Sequence, residues 1–592
     1  MNPQIGFLLN KSLEALRNSN LELAELYLKQ ALRLQSSNPH VLRLLGVIFA
    51  QRRQYSDALK YLNASLKALP KNSLTLANLG NVFLELKEYS NALDAYDRSI
   101  KIDPQYEEAW SNKGKVLNEL KHFDEAIAHH DKALGLKPDI EWVRGDLAHT
   151  KMKICNWSDL ADSIEIISKK VIANERVSQP FLLLALHDNA LLHKKSSETY
   201  TYFKYPLNTA LGSITKSYKK EKIRIGYFSA DFKNHAVGFL IAELFEVHDK
   251  KRFEIYGFSF KKANDDEMQN RITKAFDHFI DVENKSDIEI AKLSRDLEID
   301  IAIDLGGFTT DARTGIFSYR AAPIQVNYLG YPGTIGANYM DYIIADKTLI
   351  PTSSQDYYSE KVVYLPHSYQ ANDRKRAISD KQFTRQELDL PGQGFVFCCF
   401  NNNFKILPDT FTGWMRILKA VEGSVLWLFQ DNQWAKANLI NEAEKQGIDA
   451  RRLVFAQRMP HAEHLSRHRQ ANLFLDTLPY NAHTTASDSL WAGLPVLTLV
   501  GDSFASRVAA SLLNAIGLPE LIANTQEEYE DLAIDLATNP HRLTDIKMRL
   551  DNNRLIAPLF DTPLFAKNLE AAYIKMYERY HADLRPDHLF FA

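Results

Sequence analysis

Small, aromatic and proline residues recur with a period of 34 in the first 140 residues of the chain. Gly46, Gly80 and Gly114 share one position of the repeat. Three further positions repeat in the same phase: Tyr55, Tyr89 and Phe123; Ala58, Ala92 and Ala126; and Pro70, Pro104 and Pro138. The small residues allow two antiparallel helices to approach closely, the aromatic residue fills the space between them, and the proline ends the second helix. The pattern therefore predicts a stack of helix pairs.

A period of 34 is typical of tetratricopeptide repeats. Leu42, Leu76 and Trp110 occupy the large-residue position, and Ala24 extends the register into a first repeat that lacks the glycine. We predict about four repeats and assign residues 1–140 to a tetratricopeptide α-solenoid. The inner groove of such an array binds an extended peptide or a partner helix.

Two asparagines of the array are candidates for peptide binding. Asn78 and Asn112 lie two residues before the repeat glycine, on the first helix of successive repeats. An asparagine that faces the groove offers a donor and an acceptor, which can pair with a peptide backbone whatever its side chains are. We expect Asn78 and Asn112 to bind a protein partner. The alternatives are that they are ordinary surface residues and that the array only braces the rest of the protein.

From Lys222 the pattern changes to short β-rich runs separated by amphipathic helical stretches, which predicts doubly wound parallel sheets. The first set of runs is IRIGYFS, FEIYGFSF, IDIAIDLGG, IQVNYLGY and YIIAD. After a polar break the second set is FVFCCF, SVLWLFQ, LVFAQ, NLFLDT and PVLTLVG. Two Rossmann-like lobes are expected, with a ligand cleft at the carboxyl ends of both sheets.

The predicted fold class is α plus α/β, with the array followed by the two lobes. A helical transition is assigned to residues 141–221, because the repeat register fades after Pro138 and a polar, tyrosine-rich stretch runs from Ser196 to Lys222. We assign residues 222–390 to the N-terminal lobe and residues 391–592 to the C-terminal lobe. A closing helix is predicted from Pro563 to Tyr580.

Composition narrows the class of protein. With 45% hydrophobic and 24% charged residues the chain is globular, and a net charge of −3 gives no long-range field for binding nucleic acid. The three cysteines, Cys155, Cys398 and Cys399, build neither a disulfide framework nor a zinc cluster. Neither a secretory signal nor an apolar run of about 18 residues is found. We therefore expect a cytoplasmic protein with no nucleic-acid or membrane partner.

The loop after NLFLDT has the composition of an anion site. His483, Thr484 and Thr485 directly precede the apolar run of a helix, and Asp488 falls in its first turn. Helix N-termini offer unpaired N–H groups and partial positive charge, so hydroxyls and a histidine there suit a diphosphate, while Asp488 can bond a ribose hydroxyl. An ordinary N-cap with a capping box is the alternative for these residues.

Further candidates follow other strands. Lys405, after FVFCCF, can neutralise charge on a departing phosphate. His235, after IRIGYFS, can accept a hydroxyl proton or hold a sugar hydroxyl. Their alternatives are a surface lysine and a core histidine. Glycines after strands permit close ligand approach and are found at Gly306, Gly307, Gly330 and Gly333.

The sequence favours a phosphate site without metal. No acidic pair suited to a divalent cation follows a strand in the first lobe, where Asp265 and Asp266 lie in a polar, loop-like stretch, and no P-loop lysine motif is present. The first observation predicts a metal-free site, and the second argues against an ATPase.

Taken together, these motifs resemble the protein O-linked N-acetylglucosamine transferase family, which joins tetratricopeptide repeats to two Rossmann-like lobes in the GT-B arrangement. The resemblance covers nearly the whole chain. Its most specific motifs are APIQVNYLGYPGTIGANYMDYIIAD from Ala322, FNNNFKILP from Phe400, HTTASDSLWAGLP from His483 and SFASRVAASLL from Ser503. It implies an inverting transfer of N-acetylglucosamine from UDP-N-acetylglucosamine to serine or threonine hydroxyls of proteins, without metal or cofactor.

The resemblance also implies roles for residues at matching positions. Lys405 would stabilise the leaving diphosphate and His235 would be the base, with Asp304 as an alternative base where animal members look to have asparagine. The remaining positions would bind the donor: His483, Thr484 and Thr485 its diphosphate, Asp488 its ribose, Asn402 its diphosphate-sugar region, and Thr309 and Gly330 other parts of it.

The stretch that contacts uracil in the family matches Met459, Pro460, His461 and His464. Here the chain departs from the family pattern, because His461 stands where the family has a lysine. The insertion that separates the lobes in animal members is also absent.

Three other functions stay open. The SPINDLY branch has the same architecture and transfers fucose from GDP-fucose, but it looks to carry a threonine run where this chain has AHTT. A bacterial N-linking transferase that acts on asparagine is the second alternative. A catalytically silent scaffold is the third, and intact His235, Lys405 and His483 argue against it.

Overall fold

The computed structural model describes residues 3–17, 20–261 and 266–591. The chain forms two compact units. One comprises the residues up to Thr150 together with Asn284–Asp287, and the other comprises Lys151–Glu283 and the residues from Ile288 onward.

The first unit contains four successive helix pairs. They are α1 Pro3–Arg17 with α2 Leu21–Leu34, α3 Pro39–Gln51 with α4 Tyr55–Ala68, α5 Ser73–Glu85 with α6 Tyr89–Ile102, and α7 Glu107–Glu119 with α8 Phe123–Leu136. A ninth helix, α9 Val143–Lys153, begins in this unit and ends in the second. The predicted tetratricopeptide array is confirmed.

The repeat glycines have the predicted packing role. A Cβ atom added at Gly46 would lie 2.6 Å from Leu62, and one added at Gly80 would lie 2.6 Å from Tyr96. At Gly114 the nearest atom would be 2.8 Å away, in His130. Each of these neighbours lies on the second helix of the same pair, so any side chain at the glycine would push the pair apart.

The second unit begins with helices and continues into two sheets. The helices before the sheets are α10 Leu160–Ile172, α11 Pro180–Leu186 and α12 Ala190–Lys204. The strands of the N-terminal lobe are β1 Ile223–Ser229, β2 Phe253–Ser259, β3 His278–Asp281, β4 Ile301–Asp304, β5 Ile324–Asn327, β6 Tyr342–Asp346 and β7 Lys361–Leu365. Those of the C-terminal lobe are β8 Val396–Cys399, β9 Val425–Phe429, β10 Leu453–Ala456, β11 Leu473–Leu475, β12 Val496–Leu499 and β13 Ile522–Ala523, and the last strand is β14 Leu589–Phe590.

Helices connect these strands. In the N-terminal lobe they are α13 Ala236–Val247, α14 Glu267–Ala275, α15 Asp287–Asp296 and α16 Gly315–Ser318. In the C-terminal lobe they are α17 Pro408–Ala420, α18 Gln433–Lys445, α19 His461–Arg467, α20 Thr484–Trp491, α21 Val508–Ile516, α22 Gln526–Thr538, α23 Pro540–Ile556 and α24 Thr562–His581. Short 3-10 turns span Thr352–Tyr357, Gln386–Leu388, Asn403–Lys405, Ala450–Arg452, His468–Gln470, Phe504–Ser506, Pro519–Leu521 and Pro558–Phe560.

Both sheets are parallel, as the pattern of runs predicts. The eight-stranded sheet has the order β14-β7-β6-β5-β4-β1-β2-β3, and the six-stranded sheet has the order β10-β9-β8-β11-β12-β13. All ten runs named from the sequence contain a strand, while β3, β7, β13 and β14 were not predicted. One buried apolar cluster extends through both lobes.

The end of the chain returns to the N-terminal lobe. The predicted closing helix is α24, and it packs against α13. The Tyr573 hydroxyl lies 3.2 Å from that of Tyr227 at this contact, and the Glu570 carboxylate lies 2.8 Å from the His248 ring. Strand β14 then pairs with β7. No feature of the sequence indicated that β14 would pair with β7.

The described residues contain neither a membrane-spanning helix nor a metal-binding cluster. None of their helices is at once long enough and apolar enough to cross a bilayer. No group of three or more His, Cys, Asp or Glu side chains in the same ranges is arranged to hold a metal ion.

Candidate functional site

A cavity of about 870 Å³ opens between the two lobes. Most of the residues that line it follow the carboxyl ends of β1, β2, β8, β9 and β10, where the two sheets were expected to form a cleft, and Lys375, Arg376 and Ala377 come from the linker between the lobes. The predicted donor-binding residues on this wall are Asn402, Met459, Pro460, His461 and His464. The charged side chains on the wall are Glu267, Arg271, Lys375, Arg376, Arg458 and Arg467. Arg271 pairs with Glu246 and Asp373, Lys375 pairs with Glu246, and Arg376 pairs with Asp488, which lie beside the wall. The cations still outnumber the carboxylates there, so the cavity suits an anionic ligand.

His461 connects the two lobes at this cavity. Its ring stacks on Phe239 of α13, with centroids 4.0 Å apart and the planes 5° from parallel. On its other side, Nε2 lies 3.3 Å from Oδ2 of Asp488. His461, the residue that departs from the family pattern, is thus held in a fixed position.

Asp488 is buried in the first turns of α20. The Nη1 group of Arg376 donates to its Oδ1 at 2.5 Å. Burial favours the neutral acid, but the hydrogen bond from His461 and the charge of Arg376 outweigh it and lower the pKa of the Asp488 carboxyl. The carboxylate therefore stays ionised and can accept a hydrogen bond from a ligand hydroxyl.

Lys405 ends the 3-10 turn after β8 and is only 8% exposed. Its Nζ donates to the carbonyl of Asn481 at 2.8 Å and lies 3.6 Å from the centre of the Tyr480 ring. Burial lowers the pKa of Lys405 to about 7, although the Asp476 carboxylate opposes this shift. Lys405 does not line the large cavity, whereas Asn402, three residues earlier, does.

The start of α20 carries the three residues predicted to hold a diphosphate. His483 is the N-cap residue, and its Nε2 lies 3.1 Å from the Ala505 carbonyl, which can only accept, so Nε2 carries the proton. Burial lowers the pKa of His483 well below its usual range. The Thr485 hydroxyl donates to Oδ1 of Asn401 at 2.5 Å. The Thr484 hydroxyl has no hydrogen-bond partner in the described part of the chain.

Asp476 supports the Lys405 loop and was missed by the sequence analysis. It is buried just after β11, and its Oδ1 accepts from the backbone N–H groups of Thr477 at 2.7 Å and Ala482 at 2.6 Å. Its Oδ2 accepts from the Thr498 hydroxyl at 2.7 Å, and burial raises the pKa of the Asp476 carboxyl to about 6. These contacts fix the turn that presents the Asn481 carbonyl to Lys405. The aspartate at the end of NLFLDT was the available signal.

His235 is the N-cap residue of α13, beside Asn234 on the cavity wall. Its side chain is 45% exposed, and its Nδ1 lies 3.5 Å from Oδ2 of Asp231 and 3.3 Å from the Val237 backbone nitrogen. Burial lowers the pKa of His235, and the Asp231 carboxylate opposes the shift. Asp231 is buried and is a second residue that the sequence analysis missed.

Asp304, the alternative base, ends β4 and is 1% exposed. Its Oδ1 accepts from the backbone N–H groups of Gly306 at 2.9 Å and Gly307 at 3.0 Å. Its buried Oδ2 has no hydrogen-bond partner in the residues that the structure describes. Burial raises the pKa of the Asp304 carboxyl to about 6. One oxygen shapes the turn and the other is free to take a proton.

Thr309 and Gly330 join the loops after β4 and β5. The Thr309 hydroxyl donates to the Gly306 carbonyl at 2.9 Å. A Cβ atom added at Gly330 would lie 2.0 Å from the Leu305 carbonyl oxygen, so the glycine is required for this close backbone contact. A role for either residue in donor binding stays a prediction.

Asn78 and Asn112 lie on first helices of the array, as expected. Asn112 donates from Nδ2 to Oδ1 of Asn81 at 3.0 Å. The Asn78 Nδ2 is buried and has no hydrogen-bond partner among the described residues. Binding of a peptide by this pair stays a prediction.

The sequence profile of glycosyl transferase family 41 matches residues 184–383 and 377–569. The chain belongs to this family. Tetratricopeptide profiles match residues 9–73, 80–121 and 107–140. The profiles of family 41 and of the repeat therefore cover most of the chain, in the order predicted from the sequence.

The family 41 chain is similar to longer proteins. An Arabidopsis thaliana protein named "Probable UDP-N-acetylglucosamine–peptide N-acetylglucosaminyltransferase SEC" is 35% identical over 463 residues, which are 75% of this chain and 47% of that protein. A Caenorhabditis elegans protein named "UDP-N-acetylglucosamine–peptide N-acetylglucosaminyltransferase" is 28% identical over 484 residues, 62% of this chain and 42% of that protein. The chain thus spans less than half the length of these relatives.

A solved structure matches the family 41 chain over almost its full length. It is a mutant of the Thermobaculum terrenum O-GlcNAc transferase, with 26% identity and a TM-score of 0.66, and the match covers 98% of both chains. The order of array and lobes is therefore shared with a protein of similar extent.

Proposed function

We propose that this family 41 protein transfers N-acetylglucosamine from UDP-N-acetylglucosamine to serine or threonine hydroxyls of proteins. The names of its relatives and of the matched O-GlcNAc transferase support this donor and this class of acceptor. The structural observation that carries the proposal is the ionised Asp488 carboxylate beside the cation-lined cavity. A carboxylate suits the ribose hydroxyls of a nucleotide, and the nearby start of α20 suits its diphosphate.

The donor position is inferred from the chemistry of the walls. The stretch from Met459 to His464 is proposed to hold the uracil ring, with the Phe239–His461 stack at one side. Asn402 would then contact the diphosphate and sugar, while Thr484 and Thr485 would grip the diphosphate at the start of α20. Thr309 and Gly330 are proposed to lie on the sugar side.

In the proposed reaction the acceptor hydroxyl oxygen attacks the anomeric carbon of the sugar from the face opposite to the diphosphate. The bond between the anomeric carbon and the β-phosphate oxygen breaks, and its electron pair stays on UDP. This displacement inverts the anomeric centre. Lys405 is proposed to stabilise the growing negative charge, because a cation in a dry site acts strongly on a developing anion.

The hydroxyl proton needs a base, and we assign this role to His235. A His235 ring that is protonated at Nδ1 and directed to Asp231 leaves the Nε2 lone pair free to accept the proton. The contact from Val237 to Nδ1 favours the other tautomer, so we infer that acceptor binding selects the catalytic one. Asp304 is the alternative base, supported by its unpartnered Oδ2.

The proposed reaction uses no metal and no cofactor. Lys405 and the positive end of α20 are proposed to supply the charge that a divalent cation supplies in other nucleotide-sugar enzymes. The protein acceptor is proposed to lie along the array groove, at Asn78 and Asn112. Three free, buried cysteines support a reducing, cytoplasmic setting.

Donor choice and metal independence are tested together. Purified protein is titrated calorimetrically with UDP and with GDP, then incubated with labelled UDP-N-acetylglucosamine or GDP-fucose and a cell lysate, with and without EDTA. We expect UDP to bind at least ten times more tightly than GDP, and label to reach serine and threonine from the UDP sugar in EDTA. Preferential GDP binding, label on asparagine, loss of activity in EDTA or absence of nucleotide binding would each overturn the proposal.

A further inference from the structure

A second, smaller cavity lies close to the large one. Its volume is about 290 Å³, and the 3-10 turn after α19, the C-terminal end of α20 and helix α23 line it. His468 faces this cavity, and its ring lies 4.7 Å from that of His464, which faces the large cavity. The two cavities are therefore linked by a contact between two histidine rings.

The wall of the small cavity is strongly cationic. Arg469, Lys547 and Arg554 line it, and Asp551 is the one carboxylate among its lining residues. His468 is neutral, because burial lowers its pKa to about 4. The lining residues therefore carry two net positive charges.

The cations of this wall have few hydrogen-bond or ion-pair partners. Within the described ranges, neither the Lys547 amino group nor the Arg469 guanidinium makes a hydrogen bond or an ion pair. Arg554 pairs with Asp551 at 3.2 Å, yet its Nε is buried without a hydrogen-bond partner in those ranges. Burial also lowers the pKa of Lys547, although the Asp551 carboxylate opposes this shift. Arg469 is exposed, whereas Lys547 and Arg554 are partly buried and share the carboxylate of Asp551. Cations that converge on a cavity repel one another, and an anion between them relieves that cost.

We propose that the small cavity binds an oxyanion of the phosphate class, either free phosphate or the phosphoryl group of a small metabolite. Guanidinium and ammonium groups are the side chains that bind phosphate oxygens. The cavity has room for a phosphate and a short organic group but not for a nucleic acid or a folded partner.

The bound anion acts on the donor site through α20. Arg554 donates from Nη1 to the Trp491 carbonyl at 3.0 Å, at the last residue of that helix. The Trp491 indole N–H donates to the Arg376 carbonyl at 3.1 Å, and Arg376 in turn holds Asp488. An anion that fixes Arg554 therefore steadies the helix that carries the ribose-binding carboxylate, and by linkage a nucleotide in the large cavity tightens anion binding.

The test keeps the donor site occupied, because phosphate also binds where the diphosphate lies. Protein saturated with UDP is titrated with sodium phosphate against sodium chloride of equal ionic strength, and the melting temperature and binding heat are recorded. We expect saturable phosphate binding that Arg469→Gln/Lys547→Gln weakens at least tenfold. The matched control, Lys419→Gln/Arg451→Gln, removes the same charges from exposed surface positions and should leave phosphate binding unchanged.

A second set of measurements tests the coupling between phosphate binding and UDP binding. It also tests whether the bound anion is free phosphate or a phosphorylated metabolite. Phosphate at saturation should tighten UDP binding by about fivefold, the low end of typical allosteric coupling. Glycerol 3-phosphate in place of phosphate separates the sources, since tighter binding of the ester indicates a metabolite. If Arg469→Gln/Lys547→Gln misfolds, the single variant Lys547→Met takes its place. The absence of saturable phosphate binding to the UDP complex, or equal binding by the variant, overturns the inference, while UDP affinity alone reports on the donor site.

Discussion

Arg376 donates to Asp488 at 2.5 Å, and both side chains are buried beside the large cavity. Arg376 comes from the linker between the lobes, whereas Asp488 comes from the helix proposed to hold the donor. The same guanidinium also donates to the Ser487 hydroxyl at 3.1 Å and to the Asp373 carbonyl at 2.9 Å. The linker therefore fixes the position of the carboxylate proposed to bind ribose.

Arg376→Met should be strongly destabilising, because it leaves Asp488 buried without its cation. We expect the free energy of unfolding to fall by about 3 kcal/mol, typical for breaking a buried pair. UDP affinity should fall as well, and calorimetry measures it on the folded fraction. Lys375→Met is the matched control for stability: its ion pair with Glu246 is exposed, so its free energy of unfolding should change by less than about 1 kcal/mol. Equal losses of unfolding free energy in the two variants would contradict the positioning role.

Lys405→Met should reduce turnover by on the order of a hundredfold, the loss expected on removing a charge that stabilises a transition state. Its stability should not fall, because burial already opposes the charged form of the amine. Initial rates with labelled donor, together with thermal melts, check both statements. Lys419→Met, at an exposed position of α17, should leave both values unchanged. Full activity of Lys405→Met would rule out the proposed charge stabilisation.

UDP binding should take up a proton near neutral pH. The pKa of Lys405 is lowered to about 7 in the free protein, and an adjacent diphosphate should raise it. At pH 8 the amine is mostly neutral before binding and charged afterwards, so uptake approaches one proton; at pH 6 it is charged in both states. Calorimetry in buffers of different ionisation enthalpy measures the uptake. Uptake at pH 8 that persists in Lys405→Met would assign it to another group.

The roles of Asp304 and His235 can be distinguished by measuring the activity of their variants and the stability of the protein at different pH. Burial raises the pKa of Asp304 in the folded protein from its ordinary value of 3.8 to about 6, so its contribution to stability is lost as the pH rises through 6. Asp304→Asn keeps an oxygen for Gly306 and Gly307 and removes the buried charge. Relative to wild type it should therefore be more stable at pH 8 than at pH 4, by on the order of 3 kcal/mol.

The same variants identify the base. Asp304→Asn should keep turnover within a few-fold, whereas His235→Ala should lose about 10²-fold or more, as expected for removal of a general base. Rates measured across pH 5 to 9 provide the comparison. The reverse order of losses would assign the role to Asp304.

Asn78→Ala/Asn112→Ala should weaken protein acceptors without affecting the donor. Each amide can contribute about 1 kcal/mol of hydrogen bonding, so the KM of a protein acceptor should rise roughly tenfold or more. UDP affinity and hydrolysis of the donor without acceptor should stay unchanged. Asn63→Ala, at an exposed position of α4, serves as the control. An unchanged KM would favour the bracing role of the array.

The sequence predicted the features that produce a local pattern of residue types, such as the repeats and the buried strands. Gly80 and Tyr96 illustrate this. Close contact between paired helices requires a small residue at one position of every repeat, and this requirement produces the 34-residue period. The ten strand-containing runs were visible because buried parallel strands are continuous apolar runs. Arg376 could not be found in this way: it lies in a polar stretch, and its partner Asp488 is 112 residues away. Strand β14 was not predicted, because a strand of two residues is too short to show a periodic pattern.

The placement of β14 beside β7 has a consequence for the order of assembly in the cell. Synthesis runs from the N-terminus, so the sheet of the N-terminal lobe stays one strand short until all of the C-terminal lobe has left the ribosome. Helix α24 likewise arrives late to cover Tyr227 and α13. Nascent chains therefore expose an apolar face of the first lobe for the time needed to translate about two hundred further residues, which is about 10 to 40 seconds at typical elongation rates.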